Sequence, residues 1–146
     1  MPDIAARIQF LPHMAESDYL NVLALADVAL DTLYYGGGAN TIYDAFAAGT
    51  PVVTLPTQFQ RGRYAYAAYQ QIGIHDAIAG SPEAYVAIAL RLGTDRAARA
   101  DLSARISAAC PPLFEDMAAV TELADFFEQA LDRARARPTP QADHSL

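Results

Sequence analysis

The chain contains no lysine, and its ten basic residues are all arginine. That absence excludes a Walker-type phosphate loop, whose lysine reaches the phosphates, and a lysine Schiff base. Cysteine is nearly missing as well. A lone Cys110 allows no internal disulfide and no cysteine metal cluster, and it fits a reducing cytoplasm. No stretch approaches the roughly 18 consecutive apolar residues of a membrane span. Residues 1–10 lack the pattern of a secretory signal. The formal net charge is −7 and no basic stripe interrupts it, so neither nucleic acid nor a membrane is an expected partner. An anionic ligand would need a local positive site. His13, His75 and His144 do not cluster, and there is no Ser-His-Asp spacing, H-x-x-x-H pair or Asp-x-Asp metal signature.

What is present suits one packed α/β domain: 146 residues, 53% hydrophobic and 18% charged. Residues 7–11 alternate and predict a short strand, stopped by Pro12. The chain enters this strand almost at once, which reads as a piece of a longer protein. Ser17 or Asp18 can cap a helix through residues 19–25. Residues 28–30 form a compact apolar run typical of a buried parallel strand. A helix is expected over 40–48, with Ile42, Ala45 and Phe46 facing inward. Gly49 suits the left-handed position past its end, and Pro51 forbids continuation. The β-branched run 52–55 is the next strand. A helix over 62–72 stops at Gly73, and residues 77–79 offer a short fourth strand. Ser81-Pro82-Glu83 is a strong helix start, ending near Gly93. Thr94-Asp95 caps another helix to about Cys110, which Pro111-Pro112 breaks. A last helix over 116–135 carries Arg133, Arg135 and Arg137 toward its negative end. The polar residues 138–146 read as a disordered tail. Strands alternating with helices at this spacing predict a Rossmann-like, doubly wound parallel sheet. The helical C-terminal third would pack on one face or reach a partner domain.

In open parallel sheets, ligands bind outside the carboxyl ends of the strands. Here the strand at 28–30 runs into Gly36-Gly37-Gly38 and then a helix. Glycines let a ligand approach the backbone, and the free N–H groups of a helix start favour an anion. Asn40 and Thr41 add an amide and a hydroxyl at the same end. The triplet is equally readable as a flexible turn, and Thr41 replaces the third glycine of the dinucleotide fingerprint. That departure disfavours a nicotinamide cofactor. Asp44 either stabilises the helix start or accepts bonds from a ribose diol. Arg61 and Arg63 follow the next strand, where each could face a diphosphate or form a structural ion pair. Asp27 and Asp31 flank a strand and read as its punctuation. The tyrosines Tyr64, Tyr66 and Tyr69 read as core and helix surface.

Taken together, Ala26-Asp27-Val28-Ala29-Leu30-Asp31-Thr32, Gly36-Gly37-Gly38-Ala39-Asn40-Thr41 and the run from Asp44 to Pro56 resemble the C-terminal catalytic half of the O-GlcNAc transferase family. Its plant SPINDLY relatives and bacterial tetratricopeptide-linked members share the pattern. The similarity continues through Arg63, Gln71-Ile72-Gly73-Ile74, Leu92-Gly93-Thr94-Asp95 and Pro112-Leu113-Phe114, and covers roughly residues 4–131. The resemblance implies the C-terminal, nucleotide-sugar half of a type B glycosyltransferase fold, with a helix end and tail over 132–146. It implies no cofactor beyond the donor, a UDP-sugar or alternatively a GDP-sugar, and no metal. Gly38, Asn40 and Thr41 would hold the diphosphate, Asp44 the ribose, Met14 the base through its main chain, and Arg63 would belong to the same site. Implied partners are a protein acceptor, an N-terminal catalytic half and tetratricopeptide repeats. The family's catalytic groups lie mainly in that other half, so catalytic residues are not assigned. Ala39 and Asn40 stand where O-GlcNAc transferases carry histidine and threonine. Glu16 replaces a lysine near the base, and Tyr19 a histidine. These departures leave the base open and support a second reading, a non-catalytic transferase-like interaction domain.

Overall fold

The computed structural model describes residues 2–136. They fall into two compact units that join in sequence between Leu113 and Phe114. The first unit runs α1 (Pro2–Ala5), α2 (Glu16–Leu25), β1 (Ala29–Leu30), α3 (Gly38–Ala47), β2 (Val52–Val53), α4 (Tyr64–Ile72), α5 (Pro82–Thr94) and α6 (Arg96–Ala109). Short 3-10 turns occur at Gln60–Gly62 and Pro111–Leu113. The strands β1 and β2 are parallel, with Ala29 opposite Val52 and Leu30 opposite Val53. A single parallel bridge then joins Thr54 to Ile78. Three extended segments thus follow one another across the sheet, with α3 as the first crossover and α4 in the second.

The core is built around α3, which packs against α2, α4, α6 and β2. Ile42, Ala45 and Phe46 are all buried, as the helical spacing predicts. The Phe46 ring meets Tyr69 of α4 with centroids 4.7 Å apart. Tyr69 is itself fully buried, and its hydroxyl accepts a hydrogen bond from the Val52 N–H at 3.0 Å. That amide sits on the side of β2 away from β1, where strand pairing starts only at Thr54, whose N–H reaches Ala77 O at 3.0 Å. The phenol therefore supplies the acceptor that a neighbouring strand would otherwise provide.

Burial pushes the Tyr69 phenol well above its ordinary value, the Val52 hydrogen bond opposes the shift, and the charge of Asp76 adds to it. The folded chain therefore holds this proton more tightly than the unfolded chain does. The stability it confers is complete below about pH 10, the unfolded value, and declines as pH rises above it. Tyr69→Phe is expected to cost about 1–3 kcal/mol at neutral pH by leaving the Val52 N–H unpaired. It should also flatten the alkaline decline. Urea titrations of both proteins near neutral pH and near pH 11 check the two effects, and equal alkaline slopes would contradict the assignment.

Helix ends follow local chemistry. The Ser81 hydroxyl accepts from the Ala84 N–H at 3.2 Å, and Asp95 accepts from the Ala97 and Ala98 N–H groups at 3.0 Å each. Gly49 and Gly73 both adopt the left-handed conformation, with φ of 73° and 70°. The Thr50 hydroxyl donates to the Leu23 carbonyl at 2.6 Å, satisfying the end of α2 from across the first crossover.

Of the expected doubly wound sheet, the described residues show a two-stranded parallel sheet and one further parallel bridge. Several local expectations do not hold. The strand expected over 7–11 is absent. The Arg7 and Ile8 N–H groups close turns onto Ile4 and Ala5, and Phe10 is 92% exposed. Alternation makes a strand only where another strand supplies the ladder. Residues 77–79 contribute one bridge rather than a strand. Ser17 and Asp18 lie inside α2, whose cap position is Ala15, and they cap nothing. The helix after β2 starts at Tyr64 because Gln60–Gly62 tightens into a 3-10 turn.

In the second unit, α7 (Met117–Ala136) starts at Asp116, whose carboxylate accepts from the Ala118 and Ala119 N–H groups. Arg133 and Arg135 occupy its last turn, where they complement the helix dipole. The tail expected over 138–146, and His144 within it, lie outside the described residues. Among the described residues no helix is long and apolar enough to cross a membrane.

Candidate nucleotide-binding site

At its carboxyl end β1 delivers Asp31, and the chain then turns through residues 32–37 into α3. The Gly36 N–H closes the turn onto the Thr32 carbonyl at 2.9 Å. Backbone torsions alternate through the triplet: Gly36 has φ +79°, Gly37 −72° and Gly38 +78°. Such alternation shapes a concavity suited to anions, and here it is partly filled from within: the Thr32 carbonyl takes the Gly36 N–H and the Asp31 carboxylate takes the Gly37 N–H. Glycine is required at Gly36 for a second reason. A Cβ there would overlap the Arg61 carbonyl oxygen of the loop that follows β2. At Gly38, by contrast, an added Cβ meets nothing within 4 Å.

Gly38 is the first residue of α3, and its cap residue, Gly37, has no side chain with which to bond the first amides. No acidic residue lies in its first turn; the carboxylate at this end is that of Asp31, which accepts from the Gly37 N–H just before the helix. Asn40 and Thr41 are exposed on the first turns, and Asp44 is half-buried. Asp44 lies four residues beyond Asn40 and three beyond Thr41, which puts the three on one helix face. Gly38, Asn40, Thr41 and Asp44 are therefore brought together by one element.

Arg63 and Met14 belong to other surroundings. Arg63 donates from Nη1 to the Thr57 carbonyl at 3.0 Å, and its guanidinium stacks over Tyr66 at 4.5 Å. It lines a groove with Gln58, Gln60, Tyr64 and Ala67, none of them from the glycine loop. The arginine that touches the glycine loop is Arg61, whose Nε approaches the Tyr34 carbonyl at 3.4 Å. Met14 is half-buried in the wall of a mainly apolar cavity of about 760 Å³, shared with Leu11, His13, Glu16, Tyr19 and Val22.

Asp31, read from the sequence as strand punctuation, is 6% exposed and fully engaged. One carboxylate oxygen accepts from the Gly37 N–H at 2.8 Å and the other from the Thr54 hydroxyl at 2.8 Å. Its backbone carbonyl accepts from the Tyr85 hydroxyl at 2.8 Å. Burial, and then the charge of Asp31, raise the Tyr85 phenol above its usual value. The only sequence signal for this network was an aspartate closing an apolar strand just before the glycines.

The sequence profile of glycosyl transferase family 41 matches residues 4–121. The chain belongs to this family. A UDP-N-acetylglucosamine–peptide N-acetylglucosaminyltransferase of Caenorhabditis elegans is 35% identical over 101 residues, covering 69% of this chain and 9% of that protein. A mutant O-GlcNAc transferase of Thermobaculum terrenum has a similar structure, with a TM-score of 0.75 and 31% identity, covering 85% of this chain and 24% of that one. The family-41 chain described here thus spans less than a tenth of the first relative and about a quarter of the second. The family match takes in the glycine loop and all of α3, and ends within α7.

Proposed function

We propose that residues 4–131 are the nucleotide-sugar-binding half of a family-41 glycosyltransferase. That enzyme would move a sugar, N-acetylglucosamine in the first instance, from a nucleoside diphosphate to a protein hydroxyl. The observation that supports this most is the start of α3 at the carboxyl end of β1, entered through a glycine loop of alternating handedness, with Asn40 and Thr41 exposed on its first turns. In this reading the amides around Gly38, with Asn40 and Thr41, hold the diphosphate, and Asp44 takes the ribose. Arg63 and the Met14 loop, which line grooves of their own, would meet only more distant parts of the donor. As the glycosidic bond breaks, charge grows on the leaving diphosphate, and fixed backbone dipoles stabilise it without reorganising. The chain's two strands and the bridge at Ile78 would be part of a wider Rossmann-like sheet, one wall of a type B cleft. A cleft needs a second wall, so this chain alone is expected to be inactive. The N-terminal half, with or without tetratricopeptide repeats, would supply that wall and the acceptor surface in the cytoplasm.

Calorimetric titration with UDP and with GDP tests the reading and identifies the base. Failure of both to bind at millimolar concentration would count decisively against it. Thr41→Val should weaken binding about tenfold through loss of one hydrogen bond to a charged group. Asp44→Ala should weaken it about ten- to a hundredfold if the carboxylate accepts from ribose hydroxyls. Unchanged affinity in either variant removes that residue from the site. Turnover of labelled nucleotide sugar by the full-length protein separates a transferase from an interaction domain that has kept only the fold.

A further inference from the structure

We infer that Asp31, held by Thr54, is the positioning residue that sets the glycine loop for diphosphate binding; the inference rests on the donor-site reading above. A carboxylate beside a site for an anion is electrostatically unfavourable, since like charges repel. Its presence calls for a compensating job, and the geometry supplies one. Both oxygens are committed inward, to the Gly37 N–H and the Thr54 hydroxyl, at 2.8 Å each. Gly37 occupies the cap position of α3. Fixing its amide therefore fixes the peptide plane from which the chain enters the helix, and with it the direction of the next N–H groups.

Thr54 is fully buried at the end of the β2 segment. Its backbone is clamped on one side of the sheet, its N–H to Ala77 and its carbonyl to the Ala79 N–H. The hydroxyl can thus hold one carboxylate oxygen still while the other holds the loop. The Tyr85 hydroxyl, from the first turn of α5, adds a third tie by donating to the Asp31 backbone carbonyl. A buried carboxylate with fixed donors on both oxygens is a rigid strut, because moving it would leave charged groups unpaired away from water. The strut spans from the middle of the sheet to the loop, joining Thr54 to Gly37.

Thr54 offers a test in which positioning and packing give opposite rankings. Valine keeps the shape of threonine and loses the hydroxyl, whereas serine keeps the hydroxyl and loses a methyl. With UDP as probe and the whole chain in solution, Thr54→Val should weaken binding about tenfold. Thr54→Ser should recover most of that loss. A packing role would make serine the worse of the two, and that order overturns the inference. Hydrogen exchange of the Gly37 amide provides a readout independent of ligand. Exchange should quicken at least about tenfold in Thr54→Val and in Asp31→Ala, relative to amides elsewhere in α3. If Asp31→Ala does not fold, Thr54→Val still decides. If wild type binds neither UDP nor GDP, the donor-site reading falls, and the loop-setting role is judged on exchange: unchanged Gly37 protection in Thr54→Val overturns it.

Discussion

Gly36→Ala is expected to be among the most damaging single-methyl changes available in this chain. Two costs coincide there. An L-residue at φ +79° carries backbone strain of about 1–3 kcal/mol. The new Cβ also overlaps the Arg61 carbonyl, a backbone atom that cannot swing aside as a side-chain tip can. Forcing the two loops apart costs a further amount on the order of 1–3 kcal/mol. The neighbouring glycines separate the contributions. Gly38→Ala meets the same handedness, φ +78°, but open space, so it should show the strain alone. At Gly37, with φ −72° and only ordinary contacts at 3.6 Å and beyond, alanine should be nearly neutral for stability. Urea unfolding of the three variants should rank Gly36→Ala worst, Gly38→Ala next and Gly37→Ala last. Equal effects at Gly36 and Gly38 would mean that the loops after β1 and β2 do not touch.

Phe46→Ala should lower the free energy of unfolding by about 3–5 kcal/mol, the usual cost of removing a buried aromatic. Phe46 is fully buried in α3, which packs against α2, α4, α6 and β2, and its ring lies 4.7 Å from that of Tyr69. Losing it leaves a cavity beside the phenol that holds the Val52 N–H, so the damage reaches β2. Phe46→Leu retains much of the volume and should cost appreciably less. The comparison is read from urea midpoints. A loss below about 1 kcal/mol for Phe46→Ala would show that α3 is not the hub of the core.

The sequence was most informative where structure is decided within a few residues. The starts of α5 and α6 were readable because Ser81 and Asp95 bond to amides two or three positions away. Gly49 and Gly73 were readable because little besides glycine takes left-handed torsions without strain. Ile42, Ala45 and Phe46 were readable from spacing alone. Strands were the weak point, since residues 7–11 have the right alternation and no ladder to join. The same contrast holds in the candidate site. The glycine loop and the polar residues at the start of α3 are contiguous, and they stood out. The Thr54–Asp31 bond joins residues 23 apart, and the contact of Arg61 with Tyr34 spans 27, so neither leaves a mark in any local pattern. The resemblance that drew attention to Arg63 gave no hint that Arg61 is the arginine against the glycines.

The torsions of Gly36, Gly37 and Gly38 have a consequence for how such a chain diversifies. Recognition written in peptide groups is indifferent to the side chains that decorate it. If the proposed site holds the diphosphate, substitutions at Ala39, clear of the left-handed positions, would retune which donor is preferred while the loop's backbone is inherited unchanged. The loop would then behave as a constant frame around a variable reader, and swaps at that position would alter selectivity far more than they alter folding.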